Sequence, residues 1–188
     1  MFRKLFFHCM NGYDAWWRRR HKVKQFDVLI SYSLEQFSGD RRMMNDGSWI
    51  EPGDFLAILH FNHDCFSSAS HNPMRNALRF RKLIFSSLTR LAKEVCHQQQ
   101  WQQVKALHGI SWLPPHGEKF GFLIEPLPDS PLTRVRQFYF RLLLNAFFPQ
   151  LAARESKRIR PHAYWLTRHN LLKYFSGASA QDEFLTHR

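Results

Sequence analysis

The chain has 188 residues and a mass of 22.5 kDa, enough for one domain with a substantial core. Its 27 lysines and arginines against 15 aspartates and glutamates give a formal charge of +12, which points to an anionic partner and says nothing about the fold. With 44% hydrophobic residues, eight glycines and nine prolines, the composition excludes disordered, collagen-like and low-complexity classes.

The chain opens with charge, as a signal peptide does, but reaches His8 before any useful apolar run, and no small-residue cleavage site follows; export by that route is not expected. Apolar runs such as Phe55–Leu59 are far shorter than the roughly twenty residues of a membrane-spanning helix. Cys9, Cys65 and Cys96 form neither a disulfide framework nor a CxxC pair, so a reducing cytoplasm is expected.

Phe2, Leu5, Phe6, Cys9, Tyr13, Trp16 and Trp17 recur at helical spacing and run into Arg18, Arg19, Arg20, His21 and Lys22. The pattern predicts an amphipathic basic helix over residues 1–22. Its apolar face can pack on the core and leave the basic end in water. Alternatively it lies in a membrane interface, with Trp16 and Trp17 at headgroup depth and Arg18, Arg19 and Arg20 on lipid phosphates, each worth about 1 kcal/mol.

Asp27–Leu34 is rich in β-formers and predicts a strand closed by Gly39 and Asp40. Asn45-Asp46-Gly47 has the composition of a type I′ hairpin turn, and Pro52-Gly53-Asp54 marks a second turn. Phe55–Phe61 then reads as a strand apolar on both faces, hence central and covered on both sides. Asn72 and Pro73 form a helix start, followed by the stripe Ala77, Phe80, Ile84, Leu88, Leu91 and Val95, the longest helix of the chain. The glutamine-rich 98–103 stretch either extends it or connects it onward.

Leu107–Leu113 and Phe120–Ile124 predict two strands, and Ser130-Pro131 starts a helix ended by Pro149. A charged loop at 154–158 precedes a last strand at Ala163–Leu166, and Thr167 caps a final helix stopped by Gly177. Residues 177–188 are expected to form a flexible C-terminal tail. The order predicts one α+β domain, with a mixed, mostly antiparallel sheet of about six strands packed by a long central helix and two or three further helices.

The best candidate centre is His60 with Asn62 and Asp54. Period-two alternation puts Asp54, Leu56, Ile58, His60 and Asn62 on one face, so His60 can serve as a base whose tautomer Asn62 or Asp54 fixes. The same residues can instead satisfy loop backbone at a strand end. His60 and Asp64 make a weak metal spacing with no HExxH or Cys/His quartet beside it, so no metal and no other cofactor is expected. No GxSxG elbow, phosphate-binding loop or GxGxxG motif is present. Basic residues spread over the first helix, the long helix and the 154–168 region can hold nucleic acid through phosphates, but no reader motif accompanies them.

The run Asp46-Gly47-Ser48-Trp49-Ile50-Glu51-Pro52-Gly53-Asp54, continuing through His60-Phe61-Asn62, then Gly109–Leu113, Lys119–Phe122 and Tyr164–Arg168, resembles the YkoP-like domain over roughly residues 20–176. That domain occurs alone or attached to bacterial polysaccharide deacetylases. The resemblance implies a YkoP-like α+β domain over 23–176 and a cell-envelope accessory role. The positions matching the shared pattern are Asp46, Gly47, Gly53, Asp54, His60, Asn62, Gly109 and Gly121. A looser likeness joins Gly109 and Phe120-Gly121-Phe122 to acetyltransferases of the GNAT type, whose glycine-rich turn cradles coenzyme A. Here His71-Asn72-Pro73-Met74-Arg75 stands before the long helix instead.

Two functions are therefore expected. The first is an accessory module acting at an anionic inner membrane face, or on an acidic envelope precursor, with the N-terminal helix docking. The second is a small transferase or hydrolase, a GNAT-like acyltransferase among the forms considered, using His60 as base. Nucleic acid is the less expected partner.

Overall fold

The computed structural model describes residues 16, 18–62, 73–111, 117–147, 152–153 and 160–177. Asp27 decides where the first long strand begins. Its Oδ1 accepts the backbone N–H groups of Leu29 (2.8 Å) and Ile30 (2.7 Å), groups a strand ladder would otherwise take. Extended pairing therefore starts at β2 (Ile30–Gln36) and not at Asp27, and a short strand β1 (Lys24–Gln25) folds back antiparallel along its edge.

After β2 come β3 (Arg42–Met43) and β4 (Trp49–Ile50), a small hairpin forming a sheet of its own. Its turn differs from the type I′ expectation. Gly47 N–H donates to Met44 O, Met44 N–H donates to Ser48 O, and only Gly47 has a positive φ, at 79°. This is a three-residue loop, a type I turn followed by a left-handed glycine, in which Asn45 and Asp46 keep ordinary backbone angles. At Glu51–Asp54, Pro52 followed by Gly53 (φ 94°), with Asp54 N–H on Glu51 O, makes a type II turn.

β5 (Phe55–Phe61) has the predicted bounds, and α1 (Pro73–His97) starts at the predicted proline. Asn72 lies outside the described residues. The glutamine stretch is a 3₁₀ turn at Gln99–Trp101 that drives Trp101 into the core at 0% exposure. β6 (Val104–Ser111) begins three residues before the expected strand; Trp112 and Leu113 are outside the described residues. Phe120 closes a 3₁₀ turn and is not strand; β7 (Leu123–Pro126) follows.

α2 (Pro131–Phe147) is capped by Ser130, whose Oγ accepts the Thr133 amide at 3.1 Å. β8 (His162–Thr167) leads directly into α3 (Arg168–Phe175), capped by Thr167 as expected. That helix ends at Phe175, one turn-residue before Gly177. The 154–158 loop, Pro149 and residues 178–188 are outside the described residues, as are residues 1–15 and Trp17; of the first helix predicted over 1–22, Trp16 and Arg18–Arg20 are helical, while His21 and Lys22 form a turn, with Lys22 at a positive φ of 49° that ends the helix early.

The main sheet has six strands in the order β1-β2-β5-β6-β8-β7, mixed and mostly antiparallel, with β5 and β6 its parallel pair. β5 is interior, as its two apolar faces require. Ala57 joins the core formed with α1 and α3, where Phe85, Leu88, Leu91, Ala92 and Val95 meet Tyr32, Trp101, Leu107, Leu166, Leu171 and Phe175. Leu56 joins a smaller core on the opposite face with Met44, Ile50, Ala106, Ala163 and Trp165. Leu91 at 0% exposure sits in the first; truncating such a leucine to alanine costs about 2–5 kcal/mol.

Candidate functional site

The second sheet face mixes apolar and polar groups, and strand register states which ones meet. Ser33 pairs Ile58, Ile58 pairs His108, and His108 pairs Trp165, one continuous row across four strands. One pleat further along, Ser31 pairs His60. Cross-strand partners share a face, so both imidazoles and the two serines lie together.

His108 stacks on Trp165, with ring centroids 3.8 Å apart and planes 23° from parallel. Its Nδ1 lies 3.2 Å from the Tyr164 carbonyl, an acceptor only, so Nδ1 carries the hydrogen and Nε2 is left as the acceptor of the neutral ring. Burial pushes the His108 pKa down to about 4; the hydrogen bond to Tyr164 opposes this, while Arg42 and Arg136 add to it. Burial likewise pushes His60 down to about 4, with Glu35 opposing and His21, Arg18 and His108 adding to the effect. Both imidazoles are therefore neutral at neutral pH. Nearby, Glu35 accepts from Ser33 Oγ at 2.9 Å and stands 3.3 Å from His21 Nδ1. Arg42, ion-paired with Glu125, lies over the Trp165 ring at 4.7 Å.

Asn62 follows β5 and is 5% exposed. Its Oδ1 accepts from Ser31 Oγ (2.6 Å) and Arg18 Nη2 (2.6 Å), its Nδ2 donates to the Asp27 carbonyl (3.0 Å), and its backbone N–H donates to Leu29 O. These bonds make it a bracket joining the end of β5 to the Asp27–Ser31 bend and to the basic turn. Asp54 lies at the opposite end of β5. It accepts from the Glu51 amide (2.9 Å) and faces Lys105 Nζ at 3.5 Å. Parity places it on the His60 face, but six residues of strand, about 20 Å, separate the two. The structure thus brings His60 and Asn62 to one strand end and leaves Asp54 at the other.

Among the other candidates, Trp16 is 59% exposed, Arg19 and Arg20 are exposed, and Arg18 is bound to Asn62. Trp17 is outside the described residues. His108 was not among the sequence candidates. Its signal resembles that of His60, a histidine inside a strand run of small and apolar residues, Val104–Ser111. Among the described residues no group of three or more His, Cys, Asp or Glu is placed to hold a metal ion, and no helix is long and apolar enough to cross a membrane.

The shared motif residues fall into place structurally. Asp46 Oδ2 accepts from Thr167 Oγ1, and Asn170 Nδ2 donates to both Asn45 Oδ1 and Gly121 O. The DG hairpin, the 118–121 turn and the start of α3 are thereby one hydrogen-bonded knot. The sequence pattern of the YkoP domain family matches residues 3–175. The chain belongs to the YkoP domain family. The match spans nearly the whole chain, from the first amphipathic segment to the last residue of α3. No curated protein and no solved structure matches it. Within this YkoP domain, Asp46, Gly47, Gly53 and Gly121 serve turns and the knot, and Asn62 serves the bracket. His60 and Gly109 are the motif residues that lie inside strands and in no turn; Gly109 permits the close approach of Leu59 O, and His60 stands on the mixed sheet face.

Proposed function

We propose that this YkoP-domain protein is an accessory component of the bacterial cell envelope or of envelope-polysaccharide metabolism, acting at the anionic inner membrane face through its basic surface. The observation that carries the reading is how the basic turn is held. Arg18 is bound to Asn62, Val23 N–H donates to Arg18 O (2.9 Å), and Lys22 takes a positive φ of 49°, which fixes the segment against the sheet edge. Arg19, Arg20, Lys22 and Lys24 all remain exposed, and residues 16–26 contain no carboxylate. Four cations presented from a fixed backbone, each worth about 1 kcal/mol beside anionic lipid, suit a charged surface. The association of the family with polysaccharide deacetylases supports the envelope setting.

Flotation with vesicles of phosphatidylglycerol and phosphatidylcholine tests it. The parent protein should float at low salt, release at high salt and ignore pure phosphatidylcholine. The variant Arg19→Glu/Arg20→Glu/Lys22→Glu should lose at least about tenfold in partitioning. Equal flotation of the two, or none of the parent at low salt, overturns the reading.

One observation favours a second reading, a small transferase or hydrolase with His60 as base. β5 and β6 pair from Phe55–Val104 to Ile58–His108, and no further pairs follow among the described residues, although the strands run on to Phe61 and Ser111. The two strands stay close at Leu59 and Gly109, and His60 lies at the C-terminal end of β5, the end of parallel strands where ligands customarily sit. Against a coenzyme A ligand, residues 63–72, between β5 and α1, contain no glycine. Loss of a measured activity in His60→Gln at unchanged thermal stability would favour this reading over the first.

A further inference from the structure

α2 presents an apolar row to solvent. Leu132, Val135 and Phe138, spaced by three, are 57%, 63% and 62% exposed, while Leu143 and Leu144 of the same helix are buried at 6% and 0%. Arg136 of the same helix lies close enough to act electrostatically on His108. Arg18 of the basic turn acts in the same way on His60, and the two histidines act on each other. One cation of the basic turn and one of α2 are thus each within electrostatic range of a histidine of that face.

We propose that the Leu132–Val135–Phe138 row is the apolar part of a membrane contact, inserting shallowly into an anionic bilayer that the basic turn attracts. The inference rests on the membrane reading above and names the element that anchors it. α2 carries three arginines and no carboxylate of its own; Arg134 is ion-paired with Asp129, but Arg136 and Arg141 add to a whole chain at +12, so the charge around the row complements anionic lipid. The same charge opposes a second copy of this chain as occupant, because two such helices would meet cation to cation. The row is also short, about 9 Å along the helix axis, and three side chains cover far less than the roughly 800 Å² per partner of a stable protein interface. Trp16, exposed beside the basic turn, is the side chain that favours headgroup depth.

The test compares three full-length proteins on vesicles of phosphatidylglycerol with phosphatidylcholine: the parent, Leu132→Ser/Val135→Ser/Phe138→Ser, and Arg19→Glu/Arg20→Glu/Lys22→Glu. The serine variant changes exposed positions, so its melting temperature should stay within a few degrees of the parent. Its partitioning at low salt should fall at least about tenfold, although the basic turn still attracts the vesicle. If the serine variant binds as the parent does while the charge-reversed variant does not, α2 is not the anchor and the basic-surface reading stands alone. If the parent binds no vesicle, both fail together. If instead the parent sediments as a dimer that the serine variant abolishes, with vesicle binding unchanged, the row is a self-association surface and the proposal is wrong.

Discussion

Thr167 and Asp46, 121 positions apart in the chain, share one hydrogen bond in which the Thr167 hydroxyl donates to the Asp46 carboxylate at 2.5 Å. The same oxygen accepts the Asn170 amide at 3.1 Å, so one hydroxyl both starts α3 and ties it to the β3–β4 turn. Burial alone would raise the Asp46 pKa, but the hydrogen bonds from Ser48 and Thr167 outweigh it and leave the carboxyl lowered from its ordinary 3.8. The stability it contributes is therefore present above that ordinary value and drains away as pH falls through the lowered one.

Replacing Thr167 by alanine removes the cap and the tie together and should cost about 1–2 kcal/mol in urea denaturation, whereas Thr167→Ser keeps the hydroxyl and should recover most of it. Equal losses in both variants would show that the methyl group, not the oxygen, matters.

Gly121 and Gly53 separate two reasons for glycine. Both have positive φ, 80° and 94°, but a Cβ on Gly121 would stand 2.8 Å from the Tyr174 ring and 2.9 Å from Asn170, while one on Gly53 would meet nothing within 4 Å. Gly53→Ala should cost only the left-handed strain, about 1–2 kcal/mol. Gly121→Ala adds a clash with a ring and with the side chain that closes the knot, and should cost about 3 kcal/mol or more. Thermal melts of the two variants rank them; a smaller loss at Gly121 contradicts the account of the knot.

The features legible in the sequence are those written in local chemistry. Pro73 and Thr167 begin their helices because a missing N–H and a hydroxyl acceptor act within one turn, and β5 was readable because an apolar run between a Pro-Gly turn and Asn62 leaves little else. The hairpin turn was misread because Asn, Asp and Gly suit both loop types, and only the Met44–Ser48 pairing tells them apart. Parity grouped Asp54 with His60 correctly by face, but parity carries no distance. His108 went unnoticed as a site residue because its meeting with His60 depends on β5 lying beside β6, a pairing between strands 42 or more residues apart. The insertion of β8 between β6 and β7 is likewise settled by long-range packing.

Asn62 offers a test of the bracket. It is buried and hydrogen-bonded to Ser31, Arg18 and the Asp27 carbonyl, so Asn62→Ala strands the Ser31 hydroxyl, releases Arg18 and leaves the Asp27 carbonyl with Gln25 Nε2. The expected loss is about 2–3 kcal/mol. Hydrogen exchange should quicken first at Arg18–Val23 and Leu29–Ser31, with the core of α1 opening only at the global limit. Uniform quickening across the whole chain would argue that Asn62 holds the sheet and not this corner.

The two histidines set the acid response. Each has an ordinary pKa of 6.5 and a folded value of about 4, so between those values the unfolded chain binds protons that the folded chain refuses. Stability from this source is complete above 6.5 and is lost as pH falls toward 4, the direction opposite to that of a histidine gaining an ion-pair partner. Burial is the leading cause at both, and neighbouring basic groups add to it: His21 and Arg18 at His60, Arg42 and Arg136 at His108. Glu35 opposes both shifts from β2, though less strongly than burial. The protein should lose on the order of 2–3 kcal/mol per histidine between about pH 7 and about pH 4.5, read from urea midpoints across that range. His60→Gln and His108→Gln, which cannot take up a proton, should each flatten the slope by about half, and the double variant by most of it. Because the imidazoles act on each other, the two single effects should sum to slightly more than the double. A parent slope that survives the double substitution would place the acid sensitivity elsewhere, and these imidazoles would then be ordinary solvated groups.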